Sequence, residues 1–393
     1  MALARMSGSC ANWVAIWRAL LAGAVVLASC SSATAGTGTG DIQPDTALDR
    51  QTIDKGGGFF NNSNFLIVPI PISNPTLGSG GALAAGLLFK TDEKSKSSLI
   101  GAGSFYTSNG SWGAAAVTDL AFDEDHYRTK ASAGYANVSY DFYGTGVASG
   151  TAGRHVSLTQ SGYLLQGSLA TKMAPNFYIG GQARYMQIKT AFNLPDLAGD
   201  LLANGGPLSR IDNNITTIGL FVTYDSRNKD YSPSEGSLLE ASFDAGLHRF
   251  VTSNVFTRAK VAYNQYDQIA DSLVLASHAS LCAEGGQVPI FDLCMMGAGN
   301  DLRGYPVGRY QDKAMYTLQE ELRWHAFWRV GFVAFGGIGS VAPSINQFGK
   351  VFASGGAGMR FVVSKEYGVN LGLDVVINAQ GEKTFYVQVG EAF

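Results

Sequence analysis

The sequence carries five histidines, at 126, 155, 248, 278 and 325. No two stand four residues apart, so no His-Glu-x-x-His zinc helix can form. A Gly-x-Ser-x-Gly elbow and a phosphate-binding Gly-Lys-Ser/Thr loop are also missing from the sequence. The expectation is a protein that is not an enzyme and needs no cofactor or metal. The enzymatic alternative is a lipid hydrolase built on a barrel, whose His and Ser pattern alone does not place. Two cysteines, Cys282 and Cys294, read as a disulfide in an exported chain, worth about 3 kcal/mol for a loop of that size. Two free buried thiols are the alternative, and no His accompanies the pair to hold an ion. The remaining chemistry lies in charges set into otherwise regular alternation, notably Glu321, Arg323, Arg360 and Asp374. Their chemistry is ion pairing.

Such charges need elements to hold them, and composition narrows which. Of 393 residues 15% are charged, with a net charge of −3, against ~25% charged in ordinary soluble domains. Glycine, at 49 residues, is abundant, and hydrophobic content is 46%. The chain can bury a large core, which excludes disorder, and it has no basic excess for nucleic acid. Arg5 and Arg18 precede an apolar run over 19–28, the length of a signal-peptide h-region and too short to span a bilayer as a helix. Ala33-Thr34-Ala35 fits a cleavage site, making 1–35 a signal peptide. Leu27-Ala28-Ser29-Cys30 is similar to a bacterial lipobox, which would make Cys30 a lipidated N-terminus. Positions 36–62 are polar and Gly-rich and read as a flexible periplasmic tether.

From 63 to 393 the dominant signal is period two. Ile179, Gly181, Ala183 and Tyr185 alternate with Gln182 and Arg184. Leu371, Leu373, Val375 and Ile377 alternate with Asn370, Asp374 and Asn378. One face of each strand is apolar and the other polar but sparsely charged. A soluble sheet would carry Lys and Glu outside, so the apolar face is assigned to lipid and the polar face to a wet lumen. Turn signals at 108–110, 174–176, 270–271 and 380–382, with longer polar stretches at 143–155, 191–211, 283–313 and 341–349, leave room for about sixteen strands. The expected fold is all-β, a transmembrane antiparallel barrel. In Phe65–Ile72, Pro69 and Pro71 delete two backbone donors on one side of the first strand. Either that side faces the last strand across a weak seam, or the prolines form a periplasmic lead-in. Gly355-Gly356-Ala357-Gly358 reads as a place where the wall curves. Glu320 points to lipid by alternation, acceptable near the interface at ~0–1 kcal/mol.

Several pieces resemble one family in the right order over 63–393. Asp301-Leu302-Arg303-Gly304-Tyr305, after Gly297-Ala298-Gly299-Asn300, is similar to the Arg-Gly-Phe/Tyr motif in the sixth outer loop of BamA/TamA proteins, the bacterial surface antigen family. Gln319-Glu320-Glu321-Leu322-Arg323 resembles the Glu-x-Arg strand that follows that loop. Asp225-Ser226-Arg227 with Pro233 and Gly236 looks like the family's periplasmic turn, and the final Phe393 is similar to the barrel signature read by the assembly machinery. Where the family often has Asp in the next strand, this chain has Phe335. The resemblance implies a barrel of about sixteen strands with the sixth outer loop folded into the lumen. An Arg303 guanidinium there would pair with Glu321, with Asp374 as a further candidate and Arg323 and Arg360 as other lumen-facing charges; the alternative is that Arg303 hydrogen-bonds only within its own loop.

The resemblance further implies the outer membrane of a Gram-negative bacterium, contact with its lipids and lipopolysaccharide, and biogenesis by the barrel-assembly machinery. The segment 36–62 is too short for one of the family's POTRA domains, so the chain reads as lacking them. The expected function is assistance in insertion or translocation of proteins with a separate periplasmic partner. The alternative is a passive pore, receptor or structural surface antigen.

Overall fold

The structure is a computed structural model, described here for residues 65–393 except 75, 194–209, 230–231, 250–252, 291, 298–300 and 365–368. The signal segment 1–35, Cys30, the tether 36–62 and part of the 191–211 stretch lie outside the described residues.

The chain alternates strands and turns: β1 Phe65–Asn74, β2 Gly78–Lys90, β3 Ser97–Thr107, β4 Trp112–Phe122 and β5 Tyr127–Phe142. A short helix α1, Gly146–Ala152, precedes β6 Val156–Ala174, β7 Phe177–Asn193, β8 Arg210–Asp225 and β9 Gly236–Arg249. Then come β10 Ser253–Ala270, β11 Leu273–Gly286, and a loop holding the two-residue strands β12 Cys294–Met295 and β13 Gln311–Asp312. The wall resumes with β14 Ala314–Phe327, β15 Val330–Ala342, β16 Phe352–Ser364, β17 Val369–Asn378 and β18 Lys383–Val389. Without β12 and β13, these form one antiparallel sheet of 16 strands in sequence order. The barrel expected from the alternation is the fold observed.

Each strand separates its faces as the period of two requires. On β17, Leu373, Val375 and Ile377 point outward while Asp374 and Asn378 are buried inside. Outward aromatic rings gather toward the two ends of the wall. Trp112, Tyr135 and Tyr163 form one chain of ring contacts, and Trp324–Phe332 and Trp328–Phe361 pack near the opposite rim. Two aromatic girdles flanking an apolar band are what a barrel wall meeting lipid requires. The long described connections 143–155, 287–313 and 343–351 share one end of the barrel. The opposite end, with both described chain ends, is the periplasmic rim. Register irregularities at Lys172/Ala174, Gln268/Ala270, His325/Phe327 and Val362/Ser364 all fall at that rim. Bulges there end the pairing where the wall meets water.

β1 pairs with β2 without interruption through Pro69 and Pro71. β18 lies beside β1, yet no hydrogen-bonded ladder joins them. This is the arrangement expected if both prolines turn their donorless nitrogens toward the open side. The barrel therefore closes by proximity at one seam.

The inner face differs from the expected wet lumen. β5 to β8 run 16–19 residues, longer than the ~9–11 needed to cross a bilayer, and project at the outer end. There much of the inner face is apolar: Val138, Leu158, Met186, Ile188, Ile215 and Phe256 pack with Leu293 from the loop, around the hydrogen-bonded Gln160 and Thr190. Polar inward residues concentrate toward the periplasmic half. Alternation marks which side a residue faces, but it does not reveal that a loop will cover that side with its own apolar residues.

Candidate functional site

The site is built on β14 to β18, where charges interrupt the alternation. Glu321 on β14 and Asp374 on β17 are both fully buried, and both face the interior. Their neighbours make room for them. Gly358 lies opposite Asp374 in the ladder, and a Cβ there would collide with the Asp374 carboxylate. Gly356 gives the same space to the Phe335 ring, which a Cβ would meet at 2.7 Å. The inward members of the glycine run at 355–358 therefore open a pocket in the wall, where the sequence suggested only curvature.

Arg303 enters this pocket from loop 287–313 and is itself buried. Its Nη1 donates to Asp374 Oδ2 at 2.8 Å, and its Nη2 stands 2.7 Å from Glu321 Oε2, off the hydrogen-bond axis. The expected pairing with Glu321 is divided between two carboxylates, with Asp374 as the hydrogen-bonded one. The reason is competition: Glu321 Oε1 is taken by Arg323 Nε at 2.8 Å. Phe335, the residue that departs from the family pattern, lies flat under the guanidinium, with Arg303 Cζ 3.4 Å from its ring centroid. A ring replaces a third carboxylate there, and attraction to the cation remains without another buried charge. Arg360 completes the network, bonding Asp374 Oδ1 at 2.5 Å and Glu391 Oε2 at 2.8 Å.

The rest of the motif fixes the loop tip. Leu302 is fully buried and fits over Gly337, where a Cβ would come within 2.9 Å of its Cδ1. Gly304 has φ +100°, and a Cβ there would meet Val376 Cγ1 at 2.9 Å. Its N–H donates to the Tyr386 hydroxyl and its carbonyl accepts from Asn378. Tyr305 donates to the Ala353 carbonyl and packs edge-on to Tyr310 and Phe352; burial pushes its hydroxyl up to about 12. Asp301 contributes its carbonyl to Gln319, and its side chain stands 3.7 Å from His278.

Sequence reasoning missed the loop's second anchor. Asp292 is buried between Arg184 on β7, whose Nη1 donates to it at 3.0 Å, and Arg258 on β10, 2.9 Å away. Burial alone would raise its carboxyl, but the two guanidinium groups hold it below the ordinary value. Arg184 and Arg258 were legible as inward-facing, but nothing marks their loop partner. Cys282 and Cys294 are joined by a disulfide, tying the base of the loop to β11. Glu284 approaches the two sulfurs closely enough for an ion to be considered, but those are bonded to each other and Arg258 Nε holds Glu284 at 2.6 Å. No metal chemistry is built on these three.

Phe393 and Glu320 take positions that alternation alone did not fix. β18 ends at Val389, so Phe393 is not part of the wall; Gly390, at φ +87°, turns the chain and Phe393 packs against inner residues. Glu320 does face outward, but from the middle of β14, between Leu318 and Leu322, where the Ser277 hydroxyl donates to it at 2.6 Å. Asp225 at the periplasmic turn accepts from Arg227 and stands 3.6 Å from Lys96. Pro233 is buried there, and Gly236 has φ +94°.

Comparison with known proteins agrees with this architecture. Residues 91–391 match the Omp85 superfamily domain. Among solved structures, BamA from Haemophilus ducreyi lacking POTRA domains 1-3 superposes with TM-score 0.56 at 15% identity, covering 84% of this chain and 70% of that one. CdiB from Acinetobacter baumannii gives 0.52 at 11%, covering 83% and 58%, and CdiB from Escherichia coli gives 0.53 at 12%, covering 84% and 63%. This chain spans less than two thirds of either CdiB. At such identities the likeness is one of fold. No curated protein matches the sequence.

Proposed function

Because this chain belongs to the Omp85 superfamily and is an outer-membrane β-barrel, we propose that it assists the insertion or translocation of other polypeptides, which a separate periplasmic partner delivers. The observation that carries this reading is the seam. β1 and β18 present edges to each other with no ladder between them. An unpaired edge is a template on which an incoming strand can add. The interior supports the same role, since the loop is held by ion pairs and a disulfide at discrete points, and discrete anchors can be exchanged.

Co-purification from membranes at low salt tests the proposal directly. A periplasmic protein captured in stoichiometric amount, and lost when the β1 edge is altered, is the expected result. Recovery of the barrel alone, with no effect of depletion on other outer-membrane proteins, would overturn it. The competing reading is a passive pore, receptor or structural surface antigen. It rests on the cavity of about 310 Å³ beneath the loop, lined by Lys130, Gln182, Glu240 and Lys260 among others. Steady ion conductance of the wild-type barrel in planar bilayers, without any partner, would favour that second reading.

A further inference from the structure

Past the end of β18 the chain does not continue along the wall. Gly390 turns inward, its N–H donating to the Asn370 carbonyl at 2.6 Å. The Glu391 carboxylate then accepts from Asn370 Nδ2 at 2.5 Å and from Arg360 Nε at 2.8 Å, with Arg323 Nε 3.9 Å away. The Phe393 main-chain oxygen accepts from Arg323 Nη2 at 2.7 Å, and its ring lies 5.1 Å from His278 and 5.5 Å from the Arg323 guanidinium. Three residues outside the sheet thus satisfy a set of buried cations with one carboxylate, one carbonyl and one ring.

We propose that this part of the inner wall, formed by Arg323, Arg360, Asn370 and His278, is a binding site for an acidic–aromatic segment of a client polypeptide, occupied here by the chain's own Glu391–Phe393. Naming the ligand a client rests on the protein-handling reading above; the site itself rests on geometry.

Three features support an exchangeable site over a fixed structural contact. The segment takes no part in any strand ladder, so its removal breaks no sheet pairing. Every polar atom it supplies is a generic group that another chain could present. The site also has capacity its occupant leaves unused: Arg323 Nη1 is buried without a hydrogen-bond acceptor, and the inward Gln388 has neither an acceptor for its amide nitrogen nor a donor for its oxygen. A guanidinium with a free donor can accept a second oxygen in fork geometry. Position suits the role as well, because Arg323, Arg360 and Asn370 lie in the periplasmic halves of their strands, on the side from which a client would arrive. Glu321 connects the site to the loop tip, with Oε1 on Arg323 and Oε2 beside Arg303. Exchange of the occupant would therefore be felt one ion pair away from Arg303.

The test uses the full chain in detergent and an N-terminally fluorescein-labelled Val-Gly-Glu-Ala-Phe peptide with an amidated C-terminus, read by anisotropy. The Glu391→Ala/Phe393→Ala double variant, its site vacated, is expected to bind the peptide at least about tenfold more tightly than wild type, whose own segment competes. Adding Arg323→Gln to the double variant should remove that gain, and a peptide with Ala at the Glu and Phe positions should not bind. Heat-modifiable gel mobility reports whether each variant is folded. If the double variant does not fold, Glu391→Gln/Phe393→Leu is held to the same criteria. Equal binding to wild type and vacated barrel, no binding to a folded vacated barrel, or equal binding of the control peptide would each overturn the proposal. No partner or client insertion enters the assay, so its failure and the failure of the protein-handling reading are separately visible.

Discussion

Arg303 shows how one residue can hold a loop. Its guanidinium is fully desolvated between Glu321, Asp374 and the Phe335 ring, and the two carboxylates are shared with Arg323 and Arg360. Removing one partner of a buried ion pair leaves an uncompensated charge, at about 3–5 kcal/mol. Arg303→Ala is accordingly expected to destabilise the folded barrel by that order and to expose loop 287–313 to trypsin; unfolding in urea from lipid vesicles measures the first. Unchanged protection would mean the loop is held elsewhere. Asp125, in the turn before β5, offers a pH-dependent counterpart. Burial alone would raise its carboxyl, but the Arg128 guanidinium, bonded at 2.8 and 3.0 Å, and the Tyr178 hydroxyl hold it below the ordinary value. The contribution of a depressed carboxyl is complete above the unfolded value of about 3.9 and disappears as pH falls through the folded value. Asp125→Asn should therefore cost about 1.5–3 kcal/mol at neutral pH. Urea midpoints of variant and wild type should converge only below about pH 4. Residue-level legibility had a clear limit. Parity placed Glu321, Arg323, Arg360 and Asp374 on the inner face, because a strand offers only two directions. It could not rank Asp374 above Glu321, since that order depends on how Arg303, Arg323 and Arg360 share the two carboxylates.

At the scale of elements, the strands were legible because each face meets a single solvent, and loops were not, because their partners are distant in sequence. Asp292 and Glu391 both lie outside any strand, and no periodicity announces them. Pro69 and Pro71 left the seam as one of two readings, since a missing N–H is a property of the residue type but the strand it faces is not; the sheet order decides for the seam. Restoring the donors makes a direct test: Pro69→Val/Pro71→Val should allow a ladder between β1 and β18 and slow amide exchange in Lys383–Val389, read by hydrogen-exchange mass spectrometry. If the protection of β18 does not change, the prolines are not what keeps the seam open. The disulfide belongs to this scale too. Cys282 sits in β11 and Cys294 in β12, so the bond fastens the loop's entry to the wall independently of the Arg303 tip.

For the molecule as a whole, the container was legible in the sequence, and so was a loop inside it, but not the apolar packing around that loop. Period two and the scarcity of charge were enough for a lipid-facing barrel of about sixteen strands. A loop folded into a polar lumen was expected; the outer half is in addition closed by apolar packing between β5–β8, β10 and that loop. Closure by packing and ion pairs means that wild-type barrels should conduct poorly in planar bilayers. Arg303→Ala combined with Cys282→Ser/Cys294→Ser should raise the conductance severalfold, and equal conductance would place the barrier outside the loop. A last consequence follows from where the loop is fastened. Asp292 grips Arg184 and Arg258 on one arc of the wall while Arg303 grips Asp374 on another. The loop is then a spoke across a hoop, and it resists flattening of the cross-section under lateral pressure from the bilayer. Widening of the cross-section must either stretch that spoke or break one of its anchors.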